Sequence, residues 1–256
     1  MKPIVIRGKP AGGGKLPLLC APLVGVDREA LLAEAAVVRA AAPDIFEWRV
    51  DFFRELSDAR AVVDTAQALR RALPGLPLLF TRRSAAEGGQ KVAISEQAVA
   101  DVYAAVCEAD CADLVDYEMS NQPGDMAAVR AASGRRGIGL VCSYHNFQET
   151  PPQAELAARF RRAQELGGDV AKVAVMPKRR EDVLTLLSAT LQASQALDIP
   201  LISMAMGPLG ALSRIAGFAF GSALTFGVGA GASAPGQMPI SELRAAIEIT
   251  RKAMHG

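Results

Sequence analysis

The sequence predicts an α/β fold, a (β/α)8 TIM barrel with a short N-terminal β-hairpin closing the barrel floor. Eight short apolar or β-branched runs recur along the chain, with amphipathic helical patterns between them. Successive runs start roughly 20 to 35 residues apart, a spacing that suits one strand and one crossover helix per unit, as a parallel sheet requires. The length of 256 residues, 50% of them hydrophobic, is typical of a single barrel domain spanning residues 1–256.

The apolar and β-branched runs are the predicted strands. In chain order they are Leu18–Val24, Ile45–Val50, Leu78–Thr81, Leu114–Tyr117, Gly139–Ser143, Val170–Val175, Leu201–Ala205 and Ala223–Phe226. Ahead of them, we expect Ile4–Ile6 to pair with a partner near residue 16 as the hairpin of the barrel floor. The glycines at 12 to 14 are interpreted as a turn.

Ala- and Leu-rich segments with charges on one side predict the crossover helices. They include Arg28–Ala42, Ala59–Leu73, Ser95–Ala109, Ala154–Leu166 and Arg180–Leu197. An open doubly wound sheet is the competing architecture, but it usually carries a Gly-rich turn after its first strand, and residues 25–28 offer none. Lys15 completes no phosphate-binding loop, because neither Ser nor Thr follows it. The closed barrel is therefore favoured.

The charge balance bears on the class of partner. Lys and Arg number 28 and Asp and Glu 27, so the formal net charge of +1 gives no general attraction to nucleic acid or anionic membranes. No apolar run approaches the ~20 residues of a spanning helix, and residues 1–14 lack the apolar segment of a signal peptide. We expect a soluble, cytoplasmic protein that binds a small molecule.

The cysteines and histidines do not predict a metal site. Cys20, Cys107, Cys111 and Cys142 form no C-x-x-C pair, and the chain has only two histidines. We interpret the cysteines as small buried hydrophobic residues in a reducing compartment, with Cys107 and Cys111 on one helical face. No metal and no cofactor is expected.

Lys172 is the lysine with an unusual context. It lies within Val170–Met176, where strand alternation puts Lys172 on one face and apolar neighbours on both faces. Both faces of a barrel strand are covered, so desolvation should favour the neutral amine, the form that attacks a ketone. A lysine at a strand edge, or one paired with a carboxylate in the core, is the alternative.

His145 is the candidate acid or base, because His255 is the penultimate residue and is expected to fray. His145 follows the predicted strand Gly139–Ser143, at the C-terminal edge where barrel enzymes place catalytic groups. A structural role is the usual one for a lone histidine. A desolvated lysine on the neighbouring strand favours catalysis instead.

Further charges gather at the ends of the second to fourth strands. Glu47, Arg49 and Asp51 share one face of the second strand, where burial is tolerated only with partners or a polar ligand. Arg83, Glu87 and Asp116 end the third and fourth strands in the same way, and the crowding of charge predicts a polar, anionic substrate.

The last two strands add candidates of other kinds. Met204 and Met206 end one strand, and the small-residue loop from Ser233 to Gln237 follows the other. Arg214 suits a carboxylate because its planar fork donates two parallel hydrogen bonds, although a surface charge on a helix is the alternative. The Gly-rich residues 227–231 contain no Lys or Arg, which favours a hinge or lid over a phosphate site.

Five segments together resemble type I 3-dehydroquinate dehydratase, in the order of that family and across nearly the whole chain. They are Glu47–Asp51, Phe80–Gly89, Ser143–Phe147, Lys172–Pro177 and Ser233–Gln237. The resemblance implies a lyase that eliminates water from 3-dehydroquinate in the shikimate pathway or in quinate breakdown. It also implies a homodimer.

The resemblance further implies a role for each candidate residue. Lys172 forms a Schiff base with the ketone, and His145 removes the adjacent proton and assists formation and hydrolysis of the imine. Glu87 completes the catalytic set, orienting Arg83 and His145 together with Asp116. The implied substrate-binding residues are Glu47, Trp48, Arg49, Arg83, Arg214, Ser233 and Gln237, and the implied supporting residues are Asp51, Asp116, Met204, Met206 and Phe226.

One position departs from the family, because Ala21 stands where a substrate-contacting serine is frequent. An altered KM is the expected consequence. Two other functions stay open: a Schiff-base aldolase acting on a sugar phosphate, and a ligand-binding or scaffolding barrel that has lost the chemistry. The aldolase needs a phosphate site, and the binding protein forms no covalent adduct at Lys172.

Overall fold

The structure is a computed structural model that describes residues 1–11 and 16–255. The expected turn at Gly12–Gly14 and the residue Lys15 lie outside the described residues, as does the side chain of His255. The described strands are β1 (Ile4–Ile6), β2 (Lys9–Ala11), β3 (Leu18–Leu23), β4 (Ile45–Arg49), β5 (Leu78–Thr81), β6 (Leu114–Glu118), β7 (Gly139–Asn146), β8 (Val170–Val175), β9 (Leu201–Ala205) and β10 (Leu224–Phe226).

Helices connect the barrel strands and cover them from outside. They are α1 (Arg28–Ala41), α2 (Ala59–Ala72), α3 (Glu96–Glu108), α4 (Pro123–Arg135), α5 (Gln153–Glu165), α6 (Arg180–Ala196), α7 (Ala211–Ala216) and α8 (Ile240–His255). Asp27, Asp58 and Ser95 cap the starts of α1, α2 and α3 by accepting backbone hydrogen bonds, which explains where these three helices begin. No helix of the described chain is long and apolar enough to cross a membrane.

The eight strands β3 to β10 form a parallel sheet in the order β10-β3-β4-β5-β6-β7-β8-β9. An isolated parallel bridge between Leu201 and Ser222 joins its two ends, and the Ala223 N–H donates to the Leu201 carbonyl at 2.7 Å. The sheet therefore closes into the expected TIM barrel. Seven of the expected strands agree closely in position, while β7 continues to Asn146 because its end pairs in register with β8.

Two hydrophobic layers lie on the two faces of the strands. Phe46, Trp48 and Val50 belong to the layer between barrel and helices, and so do Ala171 and Val173. The inner layer fills the lumen and consists of Ile4, Ile6, Leu18, Cys20, Ile45, Leu79, Leu114, Val141, Val170, Ala174, Ile202, Met204, Met206, Ala223, Leu224 and Phe226. The alternation expected for the second and sixth barrel strands is confirmed, and it fixes which side chains face the lumen.

The N-terminal hairpin exists, but its expected partner near residue 16 is wrong. β1 pairs antiparallel with β2, Ile4 opposite Ala11, and the two-residue turn is Arg7-Gly8. Both turn residues have positive φ, at 51° and 75°, as a tight two-residue hairpin requires. Ile4 and Ile6 insert into the inner layer beside the first residues of the barrel strands, so the hairpin closes the floor.

Candidate active site

A pocket opens at the C-terminal ends of the barrel strands, opposite the hairpin. Its empty volume, which includes space open to solvent, is about 420 Å³. Its lining residues are Glu47, Arg49, Arg83, Glu87, Gly88, His145, Phe147, Lys172, Ala174, Met204, Met206, Phe226, Ser233, Ala234 and Gln237. The barrel thus brings together candidates that lie as much as 190 positions apart in the sequence, from Glu47 to Gln237.

The Lys172 amine lies inside this pocket and is 3% exposed. Its Nζ donates to Asp116 Oδ2 at 2.7 Å and lies 3.8 Å from Glu47 Oε1, and the Phe226 ring centroid is 4.7 Å away. The expected burial is therefore confirmed, but so is the carboxylate contact that had been the alternative.

Asp116 remains a carboxylate in spite of complete burial. Burial by itself raises its pKa, but the charges of Arg83 and Lys172 outweigh that effect and hold the pKa well below its usual range. Its Oδ1 accepts from Arg83 Nη2 at 2.8 Å and from Ser143 Oγ at 2.6 Å. Asp116 therefore orients Arg83 as expected, while its second expected partner, His145, is held by another carboxylate.

His145 is held by Glu87 through two contacts to one oxygen. Glu87 Oε2 accepts from the His145 backbone N–H and lies 2.9 Å from the ring Nδ1, while Glu87 Oε1 accepts from Ser120 Oγ at 2.9 Å. The side chain of His145 is 9% exposed. With Nδ1 engaged, Nε2 is the ring nitrogen available to exchange protons with a ligand.

The His145–Glu87 pair favours the less charged forms of both groups. Burial, assisted by the positive charges of Arg83 and Lys172, lowers the pKa of His145. Burial and the charge of Glu118 raise the pKa of Glu87 to about 7, against the opposing effect of Arg83. The two groups touch, so they titrate as a unit, and a proton can reside on the pair near neutral pH.

Arg83 connects the two halves of the site. Its Nη2 contacts Asp116, the partner of Lys172, and its Nη1 lies 3.8 Å from Glu87 Oε2, the partner of His145. Burial lowers the pKa of Arg83, but the surrounding carboxylates Asp116, Glu118 and Glu87 raise it above the ordinary value. The guanidinium is therefore a fixed positive charge between the amine and the imidazole.

Arg49 is held by the residue predicted to support it. Asp51 accepts from Arg49 Nε at 2.8 Å and from Nη2 at 2.7 Å, a bidentate geometry that fixes the plane of the guanidinium. The remaining Arg49 Nη1 donates to the Ser233 carbonyl at 3.2 Å. Asp51 thus aims one free edge of Arg49 toward the pocket and the loop above it.

Arg214 is buried without a carboxylate partner. Within residues 1–11 and 16–255, no carboxylate acts on its guanidinium, which contacts the Phe226 and Pro235 carbonyls at 3.4 and 3.1 Å. Burial lowers its pKa to about 10. Arg214 lies behind the lining residues Met204 and Phe226, and an unpaired buried cation is typical of a site for an anionic group.

The loop between β10 and α8 covers the pocket. Gln237 Oε1 accepts from the Ser233 N–H at 2.9 Å, and Gln237 Nε2 donates to Ser233 Oγ at 3.2 Å. Gly236 has φ of 78° and packs against Gly207, whose backbone leaves no room for a side chain there. The Gly-rich residues 227–231 form the start of this loop, with Gly229 packed against Val38 of α1.

Two expectations about substrate contacts are wrong. Trp48 is buried in the outer layer, where its ring packs edge-on against Phe53 and Phe80, so it does not line the pocket. Ala21 belongs to the same outer layer, so the missing hydroxyl there is no pocket contact and gives no reason for an altered KM. Strand alternation predicts both placements, whereas the motif alone suggested contacts.

Several site residues carried no role in the sequence interpretation. Thr81 Oγ1 donates to Glu47 Oε1, Ser143 Oγ contacts both Asp116 and Arg83, and Glu118 contacts Arg83 and Ser84. Phe147 lines the pocket above Gly88. The signal for Glu118 was available, because it lies two positions after Asp116 on one strand and so faces the same way.

Fold and site together define an enzyme of the TIM-barrel class, with a buried lysine and a histidine–carboxylate pair facing one pocket. A family model described as type I 3-dehydroquinase matches residues 19–254, so the chain belongs to that family, whose members are hydro-lyases.

Individual relatives agree with the family assignment. The chain is 54% identical over 253 residues to 3-dehydroquinate dehydratase of Albidiferax ferrireducens, covering 99% of this chain and 96% of that protein. It is similar to the solved structure of the Geobacillus kaustophilus 3-dehydroquinate dehydratase, at TM-score 0.93 and 45% identity, covering 98% and 97% of the two chains. A Clostridium difficile type I 3-dehydroquinate dehydratase with covalently modified comenic acid gives TM-score 0.93 and 36% identity, covering 99% and 100%.

Proposed function

We propose that this enzyme dehydrates 3-dehydroquinate to 3-dehydroshikimate through a Schiff base on Lys172, with His145 as general acid and base. The observation that carries the proposal is that Lys172 and His145 face the same pocket. Lys172 and His145 both line it, and each is held by its own carboxylate, Asp116 for Lys172 and Glu87 for His145. The names of the similar proteins supply the substrate, and the covalent ligand of the Clostridium difficile relative agrees with covalent catalysis.

The reaction starts at the Lys172 amine. Asp116 accepts a hydrogen bond from Nζ and orients the amine, whose nitrogen lone pair attacks the ketone carbon. The nitrogen gives up two protons in total, which His145 transfers to the carbonyl oxygen. That oxygen leaves as water, and a protonated imine remains. The centroid of the Phe226 ring lies 4.7 Å from Nζ, so the face of the ring can stabilise the positive charge of that imine.

The elimination needs a base beside the imine. The electron-withdrawing imine acidifies the adjacent carbon–hydrogen bond, and the neutral His145 ring takes that proton while the bonding electrons form an enamine. The enamine then expels the neighbouring hydroxyl, which His145 protonates as it leaves, and a conjugated imine remains. Water hydrolyses this imine, releases the enone product and restores the amine, so the net change is the loss of one water.

The charged groups around the pocket match an anionic polyol. Arg214, with no acidic partner in the described residues, suits the carboxylate, together with Gln237 of the covering loop. Glu47, Arg49 and Arg83 line the side next to Lys172 and suit the hydroxyls. Closure of the loop excludes water and delays premature hydrolysis of the imine.

Borohydride trapping tests substrate and nucleophile together. The protein is incubated with 3-dehydroquinate, the imine is reduced to a stable secondary amine, and peptide mass spectrometry is expected to find the adduct on Lys172. Release of 3-dehydroshikimate is followed in parallel by the ultraviolet absorbance of the conjugated enone. Lys178→Ala is the matched control, since this exposed lysine lies six positions further along the chain. It should leave adduct and turnover unchanged.

The trapping experiment also separates the alternatives. A barrel that binds without chemistry gives neither adduct nor absorbance. An aldolase acting on a sugar phosphate gives no enone absorbance with 3-dehydroquinate, even at high enzyme concentration.

We propose that the enzyme acts in the shikimate pathway of aromatic biosynthesis or in quinate breakdown. We also propose that it is a cytoplasmic homodimer, and light scattering can measure its mass in solution.

A further inference from the structure

Glu118 is a buried carboxylate that the proposed chemistry does not use. It ends strand β6 with 1% exposure, and its Oε1 accepts from Arg83 Nη1 at 2.9 Å and from the Ser84 backbone N–H at 2.7 Å. Ser84 in turn caps the short 3-10 helix Ala85–Glu87 by accepting from the Glu87 N–H. Glu118 therefore anchors the beginning of the turn that ends in Glu87.

Glu118 also acts on Glu87 through charge. The two carboxylates share one nitrogen, because Arg83 Nη1 lies 2.9 Å from Glu118 Oε1 and 3.8 Å from Glu87 Oε2. Like charges at this range make each other harder to ionise. After burial, the charge of Glu118 is the largest influence that raises the pKa of Glu87.

The other charged and polar groups around the His145–Glu87 pair do not raise the pKa of Glu87 as Glu118 does. Arg83 and the Ser120 hydroxyl favour the ionised form of Glu87, and the charges of Arg83, Lys172 and Arg49 favour the neutral form of His145. The charge of Asp116 raises the pKa of the His145 ring, whereas the charge of Glu118 acts on Glu87. Glu118 is thus the carboxylate that favours a proton on the Glu87 side of the pair.

We propose that Glu118 is a positioning residue that fixes the Glu87 turn through Ser84 and Arg83 and, by its charge, favours the protonated form of the His145–Glu87 pair. The inference rests on the proposed function, in which His145 must both donate and accept protons. A pair that lost its proton at much lower pH would supply the base but no acid in the same cycle.

Glu118→Gln separates charge from position. Glutamine keeps an oxygen that can accept from Arg83 and Ser84, but it removes the negative charge. The readout is the first protonation step of the pair, meaning the step at higher pH, followed by the imidazole NMR signal of His145, which responds to a proton on either group. A His255→Asn background leaves one histidine in the chain. The titration midpoint is expected to fall by about one pH unit, and the low-pH limb of kcat/KM should move with it.

Ser120→Ala is the matched opposite change. It removes a hydrogen bond that favours the ionised form of Glu87, so the same midpoint is expected to rise. Asp113→Asn is the control for loss of a buried charge, since Asp113 lies just before β6 at the floor end of the barrel, where it contacts Arg7 and Arg70, and should leave the midpoint in place.

An unchanged His145 midpoint in folded Glu118→Gln overturns the inference, even if turnover falls. Should that variant not fold, Glu118→Asp keeps the charge and weakens the contacts, so it is expected to slow turnover with the midpoint retained. A shifted midpoint with unaltered turnover in Glu118→Asp contradicts the proposal. The NMR titration needs no substrate, so it stays informative if 3-dehydroquinate proves not to be the substrate.

Discussion

The two ends of the barrel lumen are built from the same strands but have opposite character. At the floor, Ile4 and Ile6 of the hairpin pack against apolar strand residues such as Leu114 and Val170. Two positions further along the same strands, Asp116 and Lys172 form a buried ion pair. One step of strand alternation, about 6.6 Å, therefore separates a hydrophobic plug from a charged site.

This difference shows how the barrel can tolerate its charges. Burying an ion is expensive unless partners compensate it, and the site provides such partners for nearly every charge through the network of Arg83, Asp116 and Glu118. The floor contributes the nonpolar burial that favours folding. We expect changes at the mouth to alter chemistry more than stability, and changes at the floor to do the reverse.

Removal of the proposed nucleophile is the most severe test of this contrast. Lys172→Ala is expected to lower kcat by at least about four orders of magnitude, because no amine remains to form the imine. Asp116 keeps its contact with Arg83, so circular dichroism should show an intact fold. Turnover near that of the unaltered enzyme would refute the role assigned to Lys172.

Loss of the imidazole should be the next largest effect. His145→Ala is expected to slow turnover about 100- to 10,000-fold, since proton transfer loses its catalyst while the lysine remains. An adduct on Lys172 should still be detectable after borohydride reduction, followed by mass spectrometry. Wild-type rates in this variant would show that another group moves the protons.

Arg214 should affect binding more than chemistry. Arg214→Met removes the buried cation and is expected to raise KM about 10- to 100-fold, which corresponds to the loss of charge-assisted hydrogen bonds to a carboxylate. Steady-state kinetics measure KM. Arg214→Lys keeps the charge but loses the planar fork, so its KM should lie between that of the unaltered enzyme and that of Arg214→Met. A KM unchanged in both variants contradicts the assignment of Arg214 to an anionic group.

At the floor, the expected loss is one of stability. Ile4→Ala removes a side chain that is 1% exposed and should lower the free energy of unfolding by about 2–5 kcal/mol, with kcat retained at 25 °C in the folded fraction. Val5→Ala is the control on the opposite face of the same strand, where the side chain is 51% exposed and the change should stay within about 0.5 kcal/mol. Chemical denaturation measures both, and equal losses would mean that the hairpin does not plug the lumen.

Much of this architecture could be predicted from the residues alone. The periodic apolar runs located the barrel strands, and a period of two placed Lys172, Glu47 and Arg49 on the lumen face, because successive side chains of a strand must point to opposite sides. For Trp48, the resemblance to the family implied a substrate contact, whereas strand alternation predicts the outer face, where the structure has it. The four cysteines are all buried, as their scattered positions predicted.

Only the tertiary structure decided which groups are partners. Asp116 contacts Lys172 rather than His145, Glu87 holds His145, and β1 pairs with β2 instead of a segment near residue 16. Alternation along a strand is a local property that the chain carries in its order of residues. Partner choice depends on the register between strands distant in sequence and on the reach of side chains across the closed lumen, which are set when the barrel closes.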